Sequence, residues 1–147
     1  MENKQKVIGI AADHAGYELK EILKKELIST GLDVKDFGTY SSESMDYPDV
    51  AHPLALSVIS GECNSGFAIC GSGNGICMTV NKHHGIRAAL CWNKEICTLS
   101  REHNDANVCC LPARFISSKE ALEIARIFLE TPFEGGRHQR RRDKIDG

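Results

Sequence analysis

Cys70 closes a short apolar run, Gly66 to Ile69, and is followed at once by Gly71-Ser72-Gly73-Asn74-Gly75. A thiol at the end of a strand, backed by a glycine-rich turn and a helix start, can serve as a nucleophile or as a base. The backbone N–H groups of such a turn favour negative charge, either on the Cys70 thiolate or on a substrate oxygen. Other reactive types stand near the ends of apolar runs: Asp13 and His14 after Val7 to Ala12, and His103, Asn104 and Asp105 ahead of Asn107 to Leu111. If these segments meet at one edge of a sheet, an acid, a base and a thiol converge.

Spacing removes several chemistries. A phosphatase loop of the Cys-x5-Arg kind needs arginine at position 76, where the chain has Ile76, so a phosphocysteine would lack its cation. A dinucleotide fold wants G-x-G-x-x-G and an acidic residue at the next strand end; here the pattern is G-x-G-x-G, with Cys91 and Trp92 at that end. A Cys/His hydrolase has no supporting sequence around Cys70. Proton transfer between adjacent carbons of a sugar phosphate uses all the pieces without metal or cofactor. The thiolate removes a proton beside a carbonyl, loop amides hold the enediolate oxygen, and a histidine moves hydroxyl protons. Arginines hold the phosphate by charge-assisted contacts.

The elements that must position these groups follow from periodicity. Strands are expected at Val7 to Ala12, Leu32 to Phe37, Gly66 to Cys70, Gly85 to Leu90 and Asn107 to Leu111. Helices are expected at Tyr17 to Thr30, around Asp49 to Ser60, from the glycine loop to Asn81, at Asn93 to His103 and at Ser117 to Glu130. Ser117 is a plausible N-cap with Glu120 three residues on, and Pro53 is expected to be tolerated only near a first turn. Strict alternation implies a doubly wound, Rossmann-like three-layer αβα sandwich around a five-stranded parallel sheet.

The chain has 147 residues and a net charge of −2, suited to one domain spanning 1–147. The start moves straight into a strand, with no leader and no run able to cross a bilayer, so a cytoplasmic protein is expected. The seven cysteines are odd in number, lack a Cys-x-x-Cys pair and lie in apolar segments; apart from Cys70 they read as packing residues, and no metal site is expected. Residues 132–147 form a basic tail containing Arg137, Arg140, Arg141 and Arg142. It lacks interleaved aromatic residues, so an anionic small molecule is expected rather than nucleic acid, and no membrane partner. His83 and His84 fit no role.

Taken in order, Asp13-His14-Ala15-Gly16, Asp46-Tyr47-Pro48, Cys70 to Gly75, Asn81-Lys82, Gly85-Ile86-Arg87-Ala88, Ser100 to Asn107 and Gly135-Gly136-Arg137-His138 resemble the type B ribose-5-phosphate isomerases and their six-carbon relatives. The resemblance spans nearly the whole chain. It implies a cofactor-independent aldose-ketose isomerase acting on ribose 5-phosphate and ribulose 5-phosphate, with galactose 6-phosphate or allose 6-phosphate as alternatives. A homodimer or dimer of dimers with interfacial active sites is implied, the basic tail packing at the subunit interface. By similarity Cys70 is the base, Ser72 assists hydroxyl proton transfer, and His103 assists ring opening with Asp13. The amides of Gly71, Gly73, Asn74 and Gly75 contribute to an anion hole. His14, Arg137 and Arg141 look like phosphate ligands, with Arg114 a further candidate, while Tyr47 and Asn104 look like sugar contacts. Some members carry glutamate directly after the loop in place of the thiol; Ile76 there and Cys70 present place this chain with the Cys-based branch.

Overall fold

Apolar strands and amphipathic helices alternate along the chain, and the computed structural model, which describes residues 5–147, converts that alternation into a layered α/β fold. The order is β1 (Val7–Ala12), α1 (Tyr17–Ser29), β2 (Asp33–Asp36), α2 (Pro48–Ser60), β3 (Ser65–Cys70), α3 (Asn74–Val80), β4 (Ala88–Leu90), α4 (Lys94–Glu102), β5 (Val108–Pro112), α5 (Ser118–Glu130) and α6 (Arg137–Asp143). The five strands are parallel in the order β2-β1-β3-β5-β4, as the doubly wound sandwich requires.

Successive strand residues face opposite layers, and the two cores follow that rule. Ile8, Ile10, Phe67, Ile69 and Leu111 pack under Leu19 and Leu23 of α1, Cys97 of α4, and Ile124 and Phe128 of α5. Ala11, Ala68, Val108 and Cys110 pack under Leu54 and Ala55 of α2 and Ile76 and Val80 of α3. Most of these side chains are fully buried, each large one contributing about 1.5–3 kcal/mol. Two helix starts are fixed by side chains: Asn93 Oδ1 accepts from Ile96 N–H at 2.8 Å, and Ser117 Oγ accepts from Glu120 N–H at 3.1 Å. Each such cap is worth about 1 kcal/mol.

Two expectations need correction. The fourth strand is only Ala88–Leu90, because Gly85 to Arg87 are held by side chains instead of a ladder. Asn107 Oδ1 accepts from Arg87 N–H, Asn107 Nδ2 donates to the Gly85 carbonyl, and the Asn81 amide clamps both backbone groups of Ala88. Pro53 lies well inside α2, beyond its first turn. The carbonyl it leaves unpaired, four residues back, belongs to exposed Asp49, where water can satisfy it.

Chain direction now selects the site. From β1 the chain crosses to β2 on one side; from β3 it crosses to β4 on the other. A crevice therefore opens between the carboxyl ends of β1 and β3. The first turn beyond β1 is anchored from below. Lys20 of α1, fully buried, donates to Asp36 Oδ2 at 2.6 Å at the end of β2, and its own N–H reaches the Gly16 carbonyl at 2.8 Å.

Candidate active site

Register places the reactive groups side by side. Ala12 pairs with Ile69 and Cys70 with Pro112, so Asp13, Cys70 and the segment after Pro112 share one level at the sheet edge. Asp13 N–H donates to the Ile69 carbonyl at 3.1 Å, Ala113 N–H to the Cys70 carbonyl at 2.9 Å, and Arg114 N–H to the Gly71 carbonyl at 3.0 Å. These contacts frame a cavity of about 420 Å³ lined by Asp13, His14, Tyr47, Cys70, Gly71, Ser72, Gly75 and Arg114, with Ala15 and Phe115. Gly73 and Asn74 complete the loop between Ser72 and Gly75. Phe115, three-quarters exposed at the rim, was not singled out from sequence; an aromatic residue one step beyond a strand-end arginine was the available signal.

Cys70 is 5% exposed at the floor of this cavity. Among the described residues, the N–H groups of Gly71, Ser72 and Gly73 have no acceptor, whereas Asn74 N–H donates to Ser72 Oγ at 3.2 Å. Unpaired amides therefore follow the thiol directly in the chain, and those of Gly71 and Ser72 belong to residues that line the cavity. The loop is possible because Gly73 adopts φ +78°, a left-handed conformation that side chains rarely tolerate. Gly75 has a different reason. A Cβ there would stand 2.5 Å from Tyr47 Cζ, so glycine lets the Tyr47 ring lie directly on the loop. His14 Nδ1 accepts from Met45 N–H at 3.2 Å, which puts the proton of the neutral ring on Nε2 as a donor.

The remaining site candidates do not meet Cys70 within the chain. α4 descends from the carboxyl edge of the sheet, so His103 and Asn104, which follow it, stand at the opposite edge, near the start of β5. The expected convergence of acid, base and thiol on one edge is thus corrected: a helix joining parallel strands must return to where the next strand begins. His103 stacks on His138 with ring centroids 4.2 Å apart, and Glu134 Oε1 lies 3.6 Å from His103 Nε2 and 4.0 Å from His138 Nε2. Burial, with His103 and Arg137 nearby, holds His138 below the ordinary histidine range. Asn104 lines a separate cavity of about 300 Å³ with Asn81 and Arg87.

Asp105, at φ +50°, is gripped by three arginines: Arg101 at 3.0 Å, Arg142 at 2.7 Å and Arg87 at 3.4 Å. Burial alone would raise its carboxyl; the hydrogen bonds from Arg142 and Arg101 prevail and hold it below the usual range. Arg142 also lies over the Phe133 ring, its guanidinium carbon 5.1 Å from the centroid. Arg142 is therefore a structural clasp. Arg137 and Arg141, exposed and one turn apart on α6, remain on a common face as expected from their spacing.

Comparison with known proteins bears on what this constellation belongs to. The family model described as Ribose/Galactose Isomerase matches residues 8–145. The chain belongs to the ribose/galactose isomerase family. It is 42% identical over 140 residues to ribose-5-phosphate isomerase B of Escherichia coli, covering 95% of this chain and 94% of that one. The crystal structure of a ribose 5-phosphate isomerase from Thermotoga maritima superposes with a TM-score of 0.95 at 48% identity, covering 97% of this chain and 99% of that one. A ribose-5-phosphate isomerase B from Mycoplasma genitalium, solved with bound ribulose-5-phosphate, gives 0.92 at 42% identity, covering 97% and 95%. The chain is thus an enzyme of the aldose–ketose isomerase class. Among its described residues no helix is long and apolar enough to cross a membrane.

Proposed function

We propose that the chain interconverts D-ribose 5-phosphate and D-ribulose 5-phosphate, with Cys70 as the base and an enediolate as the intermediate. The Cys70 thiolate takes the proton from C2 of the open aldose; the C–H electrons form the C1–C2 double bond, and negative charge moves onto O1. The free N–H groups of Gly71, Ser72 and Gly73 receive that charge. The O2 proton passes to O1 by way of Ser72, the thiol returns its proton to C1, and the C2 carbonyl forms. Nothing is oxidised outside the substrate, and no proton is gained or lost overall.

The observation that carries this reading is one cavity lined by Cys70 and by Gly71, Ser72 and Gly75, whose N–H groups are unbonded among the described residues, with Asp13, Tyr47 and His14 in its walls. The cavity has no ring-opening histidine and only one arginine. The missing groups, His103, Asn104, Arg137 and Arg141, lie together at the opposite edge of the sheet. A two-fold dimer supplies them by placing that edge of one copy against the cavity of the other, twice. In this arrangement α6 and the basic tail pack at the subunit interface. The partner subunit's His103 protonates the ring oxygen while Asp13 takes the anomeric proton, and Arg137 and Arg141 join His14 and Arg114 on the phosphate. A cytoplasmic setting belongs to the same reading, with all seven cysteines unpaired.

The test is conversion of ribose 5-phosphate by the purified protein, with a chelator and no added cofactor, beside Cys70→Ala and with allose 6-phosphate as the competing substrate. Turnover of the pentose that exceeds that of the hexose and falls at least about 10²-fold in Cys70→Ala is expected. Wild-type turnover retained in that variant, or a preference for the hexose, would overturn it.

A further inference from the structure

Away from the cavity, on the opposite face of the sheet from α2 and α3, three sulfurs from three different elements meet. Cys91 follows β4, Cys97 lies on α4 and Cys109 on β5; all are fully buried, and their Sγ atoms lie within 4.8 Å of one another. Sequence patterns for ligands miss this group, because no two of its members lie in one short motif. Cys109 and Cys110 are neighbours in sequence yet point to opposite faces, so Cys110 belongs to the other core.

We propose that Cys91, Cys97 and Cys109 form a buried trithiol site for a trivalent soft centre of the arsenite class. Trivalent arsenic binds three sulfurs as a pyramid, and bonds of about 2.3 Å then set the sulfurs roughly 3.4–3.5 Å apart, a spacing the cluster reaches with side-chain shifts of about 1 Å. Charge selects the valence. The cluster sits in the apolar core that includes Leu111, Ile124, Ala125 and Phe128, with the Ile124 carbonyl oxygen 3.5 Å from Cys97 Sγ and the Ala89 carbonyl oxygen 3.5 Å from Cys91 Sγ, and an uncompensated charge there is costly. Arg101, whose charge reaches Cys97, is already paired with Asp105 and the Ala106 carbonyl. Three thiolates around a monovalent or divalent ion would leave net negative charge in this core; around a trivalent ion they leave none.

The surroundings also disfavour four-coordination. The Ser100 hydroxyl lies 3.9 Å from Cys91 Sγ and already donates to the Cys97 carbonyl at 2.7 Å, so it is a poor fourth ligand for zinc. The exchange balances without a redox partner. Arsenous acid, neutral As(OH)3, reacts with three S–H groups: three As–O bonds break, three As–S bonds form, and the thiol protons leave with the hydroxides as three waters. Arsenic stays trivalent, and a neutral reagent becomes a neutral buried centre. Access needs local opening of α4 over the short edge strand β4, so uptake is slow compared with a surface thiol.

The experiment is incubation of the folded protein with arsenous acid, desalting, intact-mass measurement and arsenic X-ray absorption. One arsenic per chain is expected, with a mass gain of one arsenic less three hydrogens and three sulfur neighbours. Cys97→Ala and Cys109→Ala should each lower retained arsenic by about tenfold or more at unchanged circular dichroism. Cys63→Ala and Cys110→Ala should not. Arsenic lost on desalting, a shell of two sulfurs and an oxygen, or retention that follows Cys110 instead of Cys97 overturns the proposal. The absorption measurement on the wild-type chain decides the matter even if a core variant fails to fold.

Discussion

Cys70 and His103 stand at opposite ends of the same parallel sheet: Cys70 pairs with Pro112 at the last position of β5, whereas His103 precedes Val108 at its first. α4, nine residues and about 13 Å long, separates the two levels. If Cys70 is the base and His103 opens the ring, as proposed, the two can share a substrate only across two copies of the chain. The proposed dimer rests on that separation.

The contact between Gly75 and Tyr47 predicts a site-specific lesion. In Gly75→Ala the new methyl meets the Tyr47 ring, which must leave the cavity wall. Helix propensity favours alanine over glycine by about 1 kcal/mol, so thermal stability should hold while kcat/KM for ribose 5-phosphate falls about tenfold. Activity within twofold of wild type would show that Tyr47 is not a sugar contact.

The basic tail should separate into distinct roles. Arg141→Ala should raise KM about 10- to 100-fold, the worth of charge-assisted hydrogen bonds to a phosphate, with a smaller change in kcat. Arg140→Ala should leave KM unchanged. Arg142→Ala removes the clasp on Asp105 and should speed amide hydrogen exchange across residues 137–143. Equal KM effects at 140 and 141 would remove the assigned helix face.

Asp36 predicts an acid-dependent stability. Its burial alone would raise its carboxyl, but hydrogen bonds from Lys20, the Gly38 N–H and Lys24 hold it below the usual carboxylate range. A depressed folded pKa stabilises the fold above about pH 4, the unfolded value, and the contribution disappears as pH falls through the folded value. Asp36→Asn should cost roughly 3 kcal/mol near neutral pH, because it strips the main partner from fully buried Lys20. It should also flatten the acid limb of urea midpoints measured from neutral pH downward. An unchanged acid limb would mean that other carboxylates dominate.

Much of this was legible because local signals agree with global ones. The Ser117 cap with Glu120, the strand into Cys70, and the i,i+4 relation of Arg137 and Arg141 each require only neighbours in sequence. What was not legible depends on distant partners. The shortened β4 is set by Asn81 and Asn107 side chains, which replace ladder hydrogen bonds that periodicity assumes. The edge on which His103 lies depends on where α4 ends, and the stack of His103 on His138 on how α6 folds back. The trithiol cluster required the register of β4 against β5, since the pairing of Ala89 with Cys109 puts Cys91 and Cys109 on one face within reach of each other.

The shared site is tested most directly by mixing two inactive variants. Cys70→Ala and His103→Asn homodimers each carry one defect in both sites. A mixed dimer has one doubly defective site and one site whose Cys70 and facing His103 are both intact. Subunit exchange at equal ratio should restore about a quarter of wild-type turnover on ribose 5-phosphate, since half the dimers are mixed and half their sites are whole. No recovery, in a sample where mixed dimers are shown by mass to have formed, would contradict a site assembled from Cys70 of one copy and His103 of the other.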